Sequence, residues 1–116
     1  MLHLSGSCRY FYYNGPADMR KGAYSLSGLV RNEMNMDVLG GDVFIFIGKR
    51  ANKIKLLLWD NDGFALYEKR LERGSFERPV TGSTGHCNIS AQQLQYILQG
   101  VVLKSIQHRK RLILNS

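Results

Sequence analysis

Residues 41–71 read GDVFIFIGKRANKIKLLLWDNDGFALYEKRL, and the reading of this stretch decides the fold. Val43 to Ile47 is a short run of β-branched and aromatic residues, followed by a polar connection of Lys49, Arg50, Ala51 and Asn52. Lys53 to Asp60 forms a second run. Asn61-Asp62-Gly63 offers a tight loop whose glycine can take φ > 0, and Phe64 to Leu71 returns. Branched and aromatic side chains fit a pleated, half-buried surface, and short turns force neighbouring strands to pair antiparallel. The stretch is therefore read as a three-stranded meander.

Side chains alternate along a strand, so Ile54, Leu56 and Leu58 point one way while Lys53, Lys55, Leu57 and Trp59 point the other. On the third strand Phe64, Leu66, Glu68 and Arg70 alternate with Ala65, Tyr67, Lys69 and Leu71. One face reads as core. The other is expected to mix lysines with Trp59 and Tyr67, as an ordinary amphipathic surface or as a contact surface. Leu57 makes the second strand apolar on both faces, so part of that second face should be covered.

Working outward, Arg9 to Tyr13 (RYFYY) predicts a first strand ended by Asn14-Gly15-Pro16. Its aromatics suit a base-stacking platform. A strand packed between core and helix has the same composition, and that reading is preferred. From about Ala17 to Met36, Met19, Ala23, Leu26 and Val30 recur at helical spacing, with Pro16 or Asp18 marking the start. The opposite side would carry Arg20, Tyr24 and Arg31 beside Lys21. Glu72 to His86 reads as a loop, and its Thr81–Gly85 part lacks the Gly-Lys-Ser/Thr of a phosphate-binding loop. Ser90 with Gln93 predicts a capping box opening a second helix, whose apolar edge is Leu94, Ile97 and Leu98, with Gly100 as its stop. The end of the chain, Arg109-Lys110-Arg111 followed by Leu112-Ile113-Leu114, fits either a docked helix or a tail that orders on nucleic acid.

Composition sets the class. A chain of 116 residues with 44% hydrophobic content and two prolines reads as one globular domain spanning 1–116, with a basic tail from about 104. No apolar run approaches the roughly 20 residues of a membrane span, and no leader peptide is expected. Cys8 and Cys87 make no disulfide framework, which fits a reducing cytoplasm. The net charge of +7 is unevenly placed. Residues 1–42 balance, 43–73 carry seven basic against four acidic side chains, and 104–116 carry four basic and no acidic ones. A local excess of this kind points to a polyanion, most often nucleic acid; simple solubility charge is the alternative.

No catalytic constellation emerges from the nine acidic residues. Asp60 and Asp62 flank a turn, where carboxylates commonly serve turn geometry, and the later ligands of a calcium loop are missing. His86 and Cys87 are neighbours whose side chains diverge on an extended segment, and no Cys-x-x-Cys pair supports zinc. Neither cofactor nor metal is expected.

Two blocks then carry a resemblance. Asp18-Met19-Arg20-Lys21-Gly22 with Leu26-Ser27-Gly28-Leu29-Val30 is the first. The second comprises Gly41-Asp42-Val43-Phe44-Ile45-Phe46, Lys53-Ile54-Lys55-Leu56-Leu57, Trp59-Asp60 and Asp62-Gly63-Phe64, extended by Lys69-Arg70-Leu71-Glu72, Gly74 and Phe76. Together they resemble the TnpB-type accessory proteins, the second open reading frame of the insertion-sequence-66 family. Where that family usually shows a histidine before the tryptophan, this chain has Leu58. The resemblance implies a non-catalytic helper of DNA transposition working beside a separate transposase.

These readings combine into an α+β expectation: an antiparallel sheet of four or five strands around the central meander, with two principal helices packed on one face. Lys49, Arg50, Lys53, Lys55, Lys69, Arg70, Arg109, Lys110 and Arg111 are the candidate contacts to DNA phosphates at the element ends, with Trp59 and Tyr67 for stacking or partner contact. The competing reading is an adaptor that touches the transposase alone, through an exposed patch of Trp59, Tyr67 and Phe76. An open sheet edge permits a homodimer without requiring one.

Overall fold

The computed structural model describes residues 8–80 and 86–99. Its elements are β1 (Tyr10–Ala17), α1 (Ala23–Asn32), β2 (Val43–Gly48), β3 (Lys53–Asp60), β4 (Gly63–Arg70), β5 (Cys87–Ile89) and α2 (Ala91–Leu98). The five strands form one sheet in the order β4-β3-β2-β1-β5. The meander β2-β3-β4 is antiparallel as expected, and the fold is α+β. One pair departs from the antiparallel expectation: β1 runs parallel to β2. Parallel neighbours need a long crossover, and residues 18–42, containing α1, supply it.

All six residues of β2 are buried, so both faces of the sheet must be covered. Leu26 and Val30 of α1 pack with Phe44, Phe46 and Leu57 on one face. Leu94 and Ile97 of α2 pack with Tyr10, Tyr12, Val43, Ile45, Ile54, Leu56 and Phe76 on the other. The helices thus lie on opposite faces, not on one. A strand that is apolar on both sides cannot leave either to water, and full burial of each large apolar side chain contributes roughly 1.5–3 kcal/mol.

The N-terminal strand is tied down by charge as well as by its ladder. Arg9 donates from Nε and one Nη to both carboxylate oxygens of Asp42 at 3.0 and 2.9 Å, and Val43 N donates to Arg9 O at 2.9 Å. This bidentate pair fixes the start of the parallel ladder. Asn14-Gly15-Pro16 does not end the strand. Four residues of β1, from Tyr12 to Pro16, advance it by two residues of β2, a bulge that uses Gly15 at φ 94°. Pro16 lies past the three-residue pairing with β5, where its missing N–H leaves no rung unmade on that side.

Both helices respond to local chemistry. The capping box of α2 forms as expected: Gln93 N donates to Ser90 Oγ at 3.0 Å and Ser90 N donates to Gln93 Oε1 at 2.9 Å. The helix closes on Gln99, and Gly100 lies outside the described residues. The first helix is shorter than its periodicity predicts, because β1 continues to Ala17 and Asp18 to Lys21 form a turn. Gly22 occupies the N-cap without a side-chain hydrogen bond. No helix among the described residues is long and apolar enough to cross a membrane.

The β3–β4 turn corrects the expected faces of β4. Asp60 pairs with Gly63, so the loop is the two residues Asn61 and Asp62, and the left-handed residue is Asn61 (φ 64°), not the glycine. Facing residues in an antiparallel pair share a face, and a loop one residue shorter reverses the assignment of every β4 side chain. Trp59 faces Phe64 and Lys55 faces Glu68 on the α1 side, whereas Tyr67 and Lys69 face Leu56 and Ile54 on the α2 side. Trp59 and Tyr67 therefore lie on opposite faces and cannot make one contact surface. Since Asn61 sits in the left-handed region, Asn61→Val should lower unfolding free energy by about 1–3 kcal/mol, while Asn61→Gly should leave it nearly unchanged. Urea unfolding of both variants checks this.

Candidate nucleic-acid interface

Where β1, β2 and β4 end and β3 begins, the sheet closes in a basic cleft of about 550 Å³ on the α1 side. It is lined by Ala17, Asp18, Met19, Arg20, Gly48, Lys49, Arg50, Asn52, Lys53 and Arg70. The β2–β3 connection builds one wall. Ala51 N donates to Gly48 O at 2.9 Å, which places Lys49 and Arg50 at the two exposed central positions of a tight turn, and Ala51 takes φ 56° to rejoin β3. Lys53 and Arg70 follow as facing partners on the β3–β4 ladder. Both line the same opening, with Lys53 Nζ also pairing with Glu68 Oε2 at 3.6 Å.

Gly48 lets the opposite wall approach. A Cβ at this position would lie 2.6 Å from Met19 Cγ, so only a hydrogen there allows the 17–21 segment to close over the sheet end. That segment is held by Asp18, which accepts from Arg20 N, Nε and Nη2 at 2.9, 3.0 and 2.9 Å. The hydrogen bonds from Arg20 hold the Asp18 carboxyl down at about 2, from an ordinary 3.8. Asp18 is the one carboxylate of the lining, against five cations.

A support the sequence did not disclose stands behind the turn. Arg78 donates to the carbonyls of Ile47, Gly48 and Lys49, gathering the end of β2 and the turn on one guanidinium. Phe76 N donates to Ala51 O, and the Phe76 ring, 2% exposed, fills the α2-side core. The segment 72–80 is a loop, as expected, and within it Phe76 and Arg78 buttress the turn. Phe76 is therefore unavailable to an exposed adaptor patch. Only Phe76 and Pro79 on either side of Glu77-Arg78 hinted at this, and the pattern is too short to read as an element.

The expected phosphate contacts separate. Lys49, Arg50, Lys53 and Arg70 meet at the cleft, joined by Arg20. Lys55 does not reach it: its residue is 6% exposed, and its Nζ donates to Lys21 O at 2.8 Å and pairs with Glu68 at 3.4 Å. It ties the pre-helix turn to the sheet. Lys69 points to the other face, where its Nζ donates to Leu98 O at 2.7 Å, meeting the negative end of α2. Arg109, Lys110 and Arg111 lie outside the described residues. Trp59 and Tyr24 each pack edge-on to Phe64, at 5.0 and 5.9 Å between ring centres, and Tyr24 is 83% exposed. Tyr67 packs against the α2-side core, as does Leu58.

The nucleophile and metal candidates have structural partners. His86 accepts from Asn14 N at its Nδ1 (3.4 Å), and its Nε2 lies 3.1 Å from Glu33 O, joining the β1 bulge to the end of α1. Burial pushes the Cys87 thiol up, away from the thiolate form. Among the described residues no three His, Cys, Asp or Glu side chains are grouped to hold a metal ion.

The chain matches the family described as IS66 Orf2 like protein over residues 8–108. Two relatives in Sinorhizobium fredii (strain NBRC 101917 / NGR234) are similar. Uncharacterized protein y4hO is 35% identical over 101 residues, covering 87% of each chain. Uncharacterized protein y4jC is 30% identical over 101 residues, 87% of this chain and 86% of its own. No solved structure matches.

The Asp18–Arg20 geometry has a measurable pH signature. A carboxyl lowered on folding keeps its partner above the unfolded value and loses it as pH falls through the folded one. A carbon-13 titration should place the Asp18 midpoint at about 2, returning toward 3.8 in Arg20→Ala. A wild-type midpoint near 3.8 would contradict the Asp18–Arg20 hydrogen bonds.

Proposed function

The chain belongs to the IS66 Orf2-like family of insertion-sequence accessory proteins, and on that premise we propose that it assists transposition without catalysis by holding element DNA at the basic cleft. The observation that carries the reading is the lining itself: Arg20, Lys49, Arg50, Lys53 and Arg70 converge on one opening that contains a single carboxylate. Arginine and lysine held in a fixed concavity suit phosphate oxygens, and neutralising phosphates releases condensed counterions. The cleft's cations suit contacts to the phosphate backbone, which position a duplex without reading its sequence. Such a protein would position element ends for the separate transposase, in the cytoplasm, and leave sequence choice to its partner.

A transposase-contact reading has its own support in Tyr24, Phe64 and Trp59, a small aromatic group on the α1 side with Tyr24 projecting into solvent. Co-purification with transposase that survives nuclease and high salt, and that is lost in Tyr24→Ser, would favour it over DNA contact.

The cleft reading is tested by titrating the protein with labelled duplex across a salt series, using element-end and scrambled sequences. Each phosphate contact removed should flatten the log–log salt slope by about 0.9, so Lys49→Ala/Arg50→Ala should flatten it by roughly 1.8 and weaken binding to both sequences. Asp18→Asn should tighten binding, because it removes the one acid and releases Arg20. Lys55→Met should leave the slope unchanged. An unaltered slope and affinity in the Lys49/Arg50 variant would reject the cleft as the DNA site.

A further inference from the structure

β4 is an outer strand of the sheet, and among the described residues no strand pairs with its far side. It is eight residues long, whereas the other edge, β5, has three. A free row of N–H and C=O groups is a template for another strand, and protein edges usually interrupt it with charge, proline or a bulge. β4 pairs with β3 in unbroken register, and Gly63-Phe64-Ala65-Leu66-Tyr67 contains neither charge nor proline. Leu66 is 37% exposed there.

We propose that this edge is where two copies of the chain associate, pairing β4 with β4 antiparallel about a two-fold axis at Leu66. The axis stands perpendicular to the sheet, so both copies keep their α1 sides together and facing residues have the same parity. In this register Asp62 lies across from Arg70 at each end, Phe64 lies across from Glu68, and Leu66 meets Leu66 at the centre. On the other side, Gly63 faces Lys69 and Ala65 faces Tyr67, a small residue against a long one each time. Neighbouring registers are worse. An axis at Ala65 sets Asp62 against Glu68, one at Tyr67 sets Asp62 against Glu72, and one at Glu68 sets that carboxylate against its own copy. Like charges directly opposite destabilise a pair of strands.

The dimer is one ten-stranded sheet built from two five-stranded ones. It presents both basic clefts on the same side, with the two Arg70 residues about 27 Å apart along the strand direction, eight residues at the ordinary rise. Self-association needs no DNA, and Arg70 is the residue that the cleft and the two-fold contact share.

Sedimentation velocity on the full chain without DNA tests it. The wild type should sediment at about 26 kDa, twice its 13.2 kDa. Leu66→Lys, which sets two ammonium groups at the axis, should sediment as monomer with an unchanged far-ultraviolet spectrum, and its melting temperature should no longer rise with protein concentration. Asp62→Arg and Arg70→Asp should each weaken the dimer, and the double exchange should restore it. A wild type that stays monomeric as concentration rises would overturn the proposal. A dimer that persists in Leu66→Lys, or folded single variants whose double exchange stays monomeric, would overturn it as well.

Discussion

The rest of the structure depends on burying β2 from both sides. Val43, Ile45 and Ile47 point to one face and Phe44 and Phe46 to the other, all essentially without water contact. A strand of this kind must sit inside a sheet, with a neighbour on each edge and a cover on each face. β3 arrives by the short Gly48–Asn52 connection, and β1 arrives parallel through the crossover that contains α1. A helix in that crossover covers one face and leaves the other open. The Ser90-capped α2 and the Phe76 ring close it.

The basic cleft is a consequence of that arrangement. Strands β1, β2 and β4 end at the same end of the sheet, where β3 begins, so their flanking loops are brought together without any dedicated element. Lys49 and Arg50 are presented because they occupy a tight turn, and the turn is held because Arg78 collects the carbonyls at the end of β2. Three cations of the meander take different fates from nearly identical sequence surroundings. Lys53 and Lys55 both pair with Glu68, but Lys53 lines the cleft while Lys55 is drawn inward to Lys21 O, and Lys69 crosses to the α2 side. Charge count alone could not separate them, since the separation rests on parity and on which carbonyl lies within reach.

Much of the fold was legible. The meander, the alternation of Ile54 and Leu56 against Leu57, and the Ser90–Gln93 box all depend on local chemistry, and each is found as expected. What escaped depends on single-residue differences or on distant partners. Reading the β3–β4 loop as three residues and not two joined Trp59 with Tyr67. Reading helical periodicity through Asp18 to Lys21 missed that a carboxylate can hold its own turn against helix formation. The parallel pairing of β1 requires knowing that Arg9 meets Asp42 across 33 positions. The candidate site was half legible: four of its five cations, Lys49, Arg50, Lys53 and Arg70, were identified, but the placing of Arg20 in the cleft, the Asp18 clamp and the Arg78 buttress appear only in three dimensions.

Amide chemical-shift mapping with a short duplex tests the central claim most directly. Broadening or shifts concentrated at 17–21, 48–53 and Arg70, with Tyr24, Trp59 and Phe64 unmoved, is the result this account predicts. Shifts centred on Tyr24, Trp59 and Phe64, or none along the 48–53 turn, would contradict it and remove the cleft from the protein's role in transposition.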